Sequence, residues 1–138
     1  MTHAPAADII GDGQRLSDIL ALAGPDTAPL ILRQMQADLA SVATALTAAL
    51  DAGDWTVIRA QTHVLISLAG TIGADRLHAL AIDLNTAAHG RSERQAAALS
   101  APLLADLDSL RRLLAARPPC ATTPATTTAS TPPRKTAP

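Results

Sequence analysis

QTHVLISLAGTIGA, residues 61–74, decides the reading of this chain, because it sets a histidine on the outer side of an amphipathic helix and then ends that helix at Gly73. At about 100° per residue counted from Trp55, the side chains Trp55, Ile58, Thr62, Leu65, Leu68, Ala69 and Ile72 gather on one arc of about 120°, which must face a core. His63 falls nearly opposite that arc. Its neighbours one turn away are Arg59, Ala60, Ile66 and Ser67, with Thr56 and Gly70 two turns away. The imidazole therefore stands among mostly short side chains, with room for another protein to come close.

Outward from this helix the apolar spacing predicts three more long helices and one short one. Leu32, Met35, Leu39, Val42, Leu46 and Leu50 recur at three and four residues, which predicts a helix from a cap at Asp26 or Thr27 to about Asp51, with Pro29 tolerated in its first turn. Gly53 ends it and Asp54 caps the histidine helix. On the other side, Leu77, Leu80, Ala81, Leu84 and Ala88 predict a core face for residues 75–89, while His78, Ile82, Asn85 and His89 share the opposite flank. Gly90 stops that helix. Ser92 opens the last one, reaching Arg117 with Leu99, Leu103, Leu107, Leu110 and Leu114 inside; Pro102 predicts a kink or break near residues 98–101. A short helix over residues 16–23, stopped by Gly24-Pro25, is expected to lie across the bundle as a lid.

Composition agrees with helices. The 138 residues lack Phe and Tyr, Trp55 is the single aromatic, and alanine and leucine abound, a mixture suited to close-packed helices rather than sheet. Short connections make sequential helices antiparallel neighbours. The expected fold is all-α, an antiparallel up-down four-helix bundle with a short extra N-terminal helix, with residues 1–14 a flexible N-terminus, 15–117 the bundle and 118–138 a disordered Thr/Pro/Ala-rich tail. A net charge of −1 with scattered basic residues argues against nucleic-acid binding and against an anionic membrane surface. The single cysteine, Cys120, has no internal disulfide partner, and MTHAPAADIIGDG lacks the features of an export signal, so the chain is expected to be cytoplasmic, without a membrane span.

His63, Leu65, Gly73 and Ala74 follow the spacing H-x-L-(K-G)-x-x-x-x-x-G-A, which resembles the signature of histidine-containing phosphotransfer (HPt) domains. LDAGDW before the histidine helix and ADRLHALAIDLNTAAHG after it resemble the family's turn and neighbouring helix, and the similarity spans residues 16–117. Two positions depart from the pattern: Ile66 stands where the family usually has lysine, and Ser67 where it usually has glycine.

The resemblance implies a phosphorelay intermediate. His63 would take a phosphoryl group from an aspartyl-phosphate on a receiver domain, of a response regulator or a hybrid histidine kinase, and pass it to another. Mg²⁺ and the acidic pocket belong to the receiver, so this chain is expected to need no metal, nucleotide or other cofactor, to be no enzyme in its own right, and to act as a monomer. A solvated imidazole has a pKa of about 6.5, so at pH 7 roughly three-quarters is neutral and nucleophilic. The resemblance places Asn85 where a polar residue orients the imidazole, and His89 where a docking residue is sometimes basic. Without lysine at Ile66 the phosphoryl group loses a charge-assisted hydrogen bond, for which Arg59 is the candidate substitute. Ala60, Ile66, Ser67 and Gly70, with an exposed edge of Leu65, are the expected docking patch.

A second reading is a pseudo-HPt adaptor that binds a receiver or kinase without being phosphorylated. A metal site is disfavoured, since His78 and His89 lie about 16 Å apart along one helix. A histidine-dependent hydrolase would need convergent polar groups around a pocket, and the sequence supplies none.

Overall fold

The computed structural model describes residues 6–117. Five helices follow one another: α1 (Ala6–Ile10), α2 (Gln14–Ala52), α3 (Trp55–Ile72), α4 (Asp75–His89) and α5 (Glu93–Ala116), and among the described residues there is no strand. The tail expected to be disordered, with Cys120, lies outside the described residues, as do residues 1–5. Among the described residues no helix is long and apolar enough to cross a membrane.

The bundle closes on itself. α3 packs against α2 and α4, and α5 against α4 and α2, so the four long helices ring one core, while α1 sits on α4 and α5. The stripes predicted from spacing are those that are buried: Leu32, Met35, Leu39, Val42 and Leu46 from α2, Ile58, Leu65, Ala69 and Ile72 from α3, Leu77, Ala81, Leu84 and Ala88 from α4, and Leu103, Leu107, Leu110 and Leu114 from α5. Trp55, Leu50, Leu68, Leu80 and Leu99 pack half-buried at the margins.

α2 is two helices in series. Gly24 has φ 85° and ψ 168°, outside helical space, and separates an arm of residues 14–23 from one of residues 25–52. Pro25 disfavours a helical residue before it, and only glycine adopts this positive φ readily. The second arm starts at Pro25, so neither Asp26 nor Thr27 acts as the cap. The first arm covers the end of the bundle, as expected of a lid: Leu16 and Leu20 are buried, Arg15 Nη1 donates to the carbonyl of Gly70 at the end of α3 (2.8 Å), and Arg117 Nη2 at the end of α5 donates to Ser17 Oγ (3.3 Å).

Two expectations need correction. Residues 6–14 were predicted to be flexible, yet they include α1 and the start of α2. Ile9 and Ile10 are 2% and 7% exposed, and Asp12 Oδ1 accepts the N–H of Gln14 (2.9 Å); two adjacent buried aliphatic side chains offset the ordering of a short segment. Pro102 does not break α5, which stays helical from Glu93 to Ala116. Ala98, Ala101 and Pro102 are all exposed, so the carbonyl that loses its partner lies on the solvent side, where water replaces it at little cost.

One ion pair enters the core. Asp106 on α5 is buried and accepts two hydrogen bonds from Arg76 on α4, from Nε at 2.7 Å and Nη2 at 2.9 Å. The hydrogen bonds and charge of Asp106 hold the Arg76 pKa above its ordinary value. Arg76→Ala leaves the carboxylate without its partner and is expected to lower the unfolding free energy by about 1–2 kcal/mol, less than for a wholly buried pair because the arginine is half solvated. Urea unfolding checks this as a lower midpoint at unchanged slope. Replacing both together, Arg76→Met with Asp106→Leu, is expected to restore most of the loss.

Candidate functional site

α3 is fixed at both ends. Asp54 Oδ1 accepts the N–H of Val57 (3.2 Å), and Gly73, at φ 92°, closes the last turn with its N–H on the carbonyl of Ala69. Between these stops Ile58, Thr62, Leu65, Ala69 and Ile72 face the core. His63 sits mid-helix and is exposed. Neither the lid arm nor α1 walls it in.

The expected docking residues divide. Ala60 and Ser67 are exposed beside His63, and His89 is exposed at the end of α4. Ile66 is half-buried and packs against the core, so it lines the border between α3 and α4 rather than standing free. Gly70 is covered: a Cβ there would meet the His78 ring at 3.4 Å, and its carbonyl is bound by Arg15. Leu65 is 0% exposed and has no edge in the surface, because its place on the arc points at the core centre. Val64 and Ile82 do reach solvent, at 42% and 41% exposure. Ile82 belongs to the flank read from sequence; Val64 went unnoticed, although it lies on the α2-facing side of His63 by the same helical count.

Asn85 is half-buried on α4 and faces α3, but its amide is committed elsewhere than expected. Nδ2 donates to Thr62 Oγ1 at 2.9 Å and to the carbonyl of Arg59 at 3.2 Å, and no hydrogen bond joins it to His63. A half-buried amide N–H left without an acceptor costs more than a solvated imidazole left without a protein partner, because water serves the imidazole, so the amide turns inward. Thr62 is the residue that sequence reasoning counted only as core. Its polar group on an apolar arc was the available signal.

Arg59 is half-buried, one turn before His63. It forms no ion pair among the described residues, where the pairs are Arg15 with Asp75, Arg76 with Asp106 and Arg112 with Asp108. Its guanidinium is thus uncommitted to a carboxylate. Among the described residues no three His, Cys, Asp or Glu side chains come together as a metal-binding group. A cleft of about 410 Å³ lies at the far end of the bundle between Leu50, Trp55, Glu93 and Ser100 and does not include His63.

The site is therefore one solvated imidazole in the middle of α3 beside the exposed Ala60 and Ser67, with Ile82 and His89 exposed on the neighbouring α4 and an arginine one turn away. Such a surface can present a nucleophile to a partner that brings its own pocket.

No protein-family model matches the chain, and no curated protein matches it. Among solved structures it is similar to the crystal structure of histidine-containing phosphotransfer protein B (HptB) from Pseudomonas aeruginosa PAO1, with a TM-score of 0.69 and 23% sequence identity over 80% of this chain and 94% of that one. The chain has the fold of that histidine-containing phosphotransfer protein.

Proposed function

We propose that this chain is a phosphorelay intermediate that accepts a phosphoryl group on His63 from the aspartyl-phosphate of a receiver domain and passes it to a response regulator. The carrying observation is the exposed position of His63 in the middle of α3, on a bundle whose fold is shared with a histidine-containing phosphotransfer protein. In the forward step a ring nitrogen attacks phosphorus in line. The N–P bond forms as the P–O bond to the aspartyl carboxylate breaks, the electron pair stays with that carboxylate, and the proton of the far ring nitrogen is free to leave to solvent. Reversal on a second receiver returns the imidazole. The reaction demands positioning and charge neutralisation more than covalent work by the protein. The receiver supplies Mg²⁺, and this chain acts as a cytoplasmic monomer that contributes the nucleophile, the docking surface of Ala60, Ser67, Ile82 and His89, and Arg59 as a cation beside the transferred group.

Receiver domains from the same cell, phosphorylated with acetyl phosphate and Mg²⁺, test this reading. Acid-labile label is expected on the wild-type chain and absent from His63→Gln. Receiver binding without label on the wild type would instead establish the adaptor reading, which the apolar Ile66 favours.

The half-buried Ile66 leaves the phosphoryl group without the cation that a lysine at this position would bring. Ile66→Lys adds one screened contact worth up to about 1 kcal/mol, so the phosphorylated state is expected to live up to about fivefold longer. The decay of labelled protein with time measures this, and an unchanged lifetime would remove that position from the phosphoryl site.

A further inference from the structure

Thr62 precedes His63 in sequence and points the opposite way, into the core. It and Asp106 are the two buried polar or charged residues among those described. The hydroxyl proton of Thr62 lies between the carbonyls of Ile58 (2.8 Å) and Arg59 (3.1 Å), and its oxygen accepts from Asn85 Nδ2 at 2.9 Å. The same Nδ2 also donates to the carbonyl of Arg59 at 3.2 Å. Arg59 lies four residues before His63, so this carbonyl is also the helical acceptor for the N–H of His63. One backbone oxygen thus gathers α4, the Thr62 hydroxyl and the turn that carries the histidine.

Elsewhere the buried contact between α3 and α4 is made by aliphatic side chains and alanines, such as Leu65, Ala69, Leu77, Ala81 and Leu84. Apolar burial is non-directional and tolerates a small rotation or slide, whereas hydrogen bonds weaken steeply as their angles change. α4 places Ile82 and His89 on the same flank as Asn85, at three and four residues from it. A protein resting on both helices meets the imidazole at an angle set by how α3 is rotated against α4.

We propose that Thr62 and Asn85 form a clamp that fixes the histidine-bearing turn of α3 against α4 and thereby sets the line along which His63 attacks a docked acyl phosphate. Both are positioning residues. The inference rests on the phosphorelay reading and replaces a direct Asn85–imidazole hydrogen bond with one acting through the backbone of α3.

Two substitutions at one position separate this role from packing. Thr62→Val keeps volume and branching but loses the hydroxyl; Thr62→Ser keeps the hydroxyl and loses a buried methyl. Packing alone predicts that serine is the worse of the two, and the clamp predicts valine. Transfer from acetyl-phosphate-loaded receiver domains is followed at saturating receiver, together with receiver Kd and helical circular dichroism. Thr62→Val is expected to transfer about tenfold more slowly with Kd within about twofold, and Thr62→Ser to stay within about twofold of wild type. Asn85→Ala, at a half-buried position, carries the same expectation should the valine variant fail to fold. Wild-type rates in Thr62→Val, or an equal loss in Thr62→Ser, would overturn the clamp alone. A wild-type chain that takes no label from any receiver would overturn the phosphorelay reading and the clamp's role with it.

Discussion

The rotation of α3 about its own axis is the constraint on which the site depends. Ile58, Thr62, Leu65, Ala69 and Ile72 are buried as one stripe, and turning the helix by even a third of a revolution would drive His63 toward the core and bring leucine and isoleucine into water. Burying such side chains is worth about 1.5–3 kcal/mol each, so the apolar stripe holds His63 in solvent more firmly than any contact the imidazole makes for itself. Exposure of the imidazole is thus a property of the residues on the other side of its helix. The Gly73 stop and the Asp54 cap add the axial limits, so both the rotation and the extent of the helix are determined locally.

Much of this is legible in the amino-acid sequence. The apolar recurrence in α2, α3, α4 and α5 is long and regular enough that periodicity alone places each core face, and Gly24-Pro25, Gly53 and Gly73 punctuate the chain where their backbone preferences demand. The failures have a common physical character. α1 has five residues, fewer than two turns, and no periodic signal can be read from so short a segment; it is held by Ile9 and Ile10 finding a place against α4 and α5. Pro102 reads as a breaker in sequence, but its effect depends on which side of the helix faces water. The partners of Asn85 depend on how α3 and α4 meet, and a choice among a hydroxyl, a carbonyl and an imidazole is settled by relative desolvation, which no spacing rule contains. Leu65 was placed on the core arc and also given an exposed edge; burial allowed only the first.

Polar contacts are few and divide by position. At the lid end, Arg15 reaches the Gly70 carbonyl and Arg117 reaches Ser17; the first places a cation at the C-terminal end of α3, where helix carbonyls lack partners and the helix dipole favours positive charge, and the second ties the end of α5 to the first arm of α2. Between α4 and α5, Arg76 and Asp106 join the two helices with a charged pair of specific geometry. Between α3 and α4 the Thr62–Asn85 contact is neutral and lies below the histidine. The junctions of α4 with α3 and with α5 thus each set a directional polar contact within a field of aliphatic ones.

The single non-helical residue at Gly24 turns the first arm of α2 away from the second. What joins the two arms is one backbone conformation, and what fastens the first in space is its buried face, with Leu16 and Leu20 in the common core, the two arginine hydrogen bonds and the Arg15–Asp75 ion pair at its margins. One stretch of chain thus serves both as a wall of the bundle and as the roof over its end. A side chain at position 24 would strain the change of direction that lets it do both.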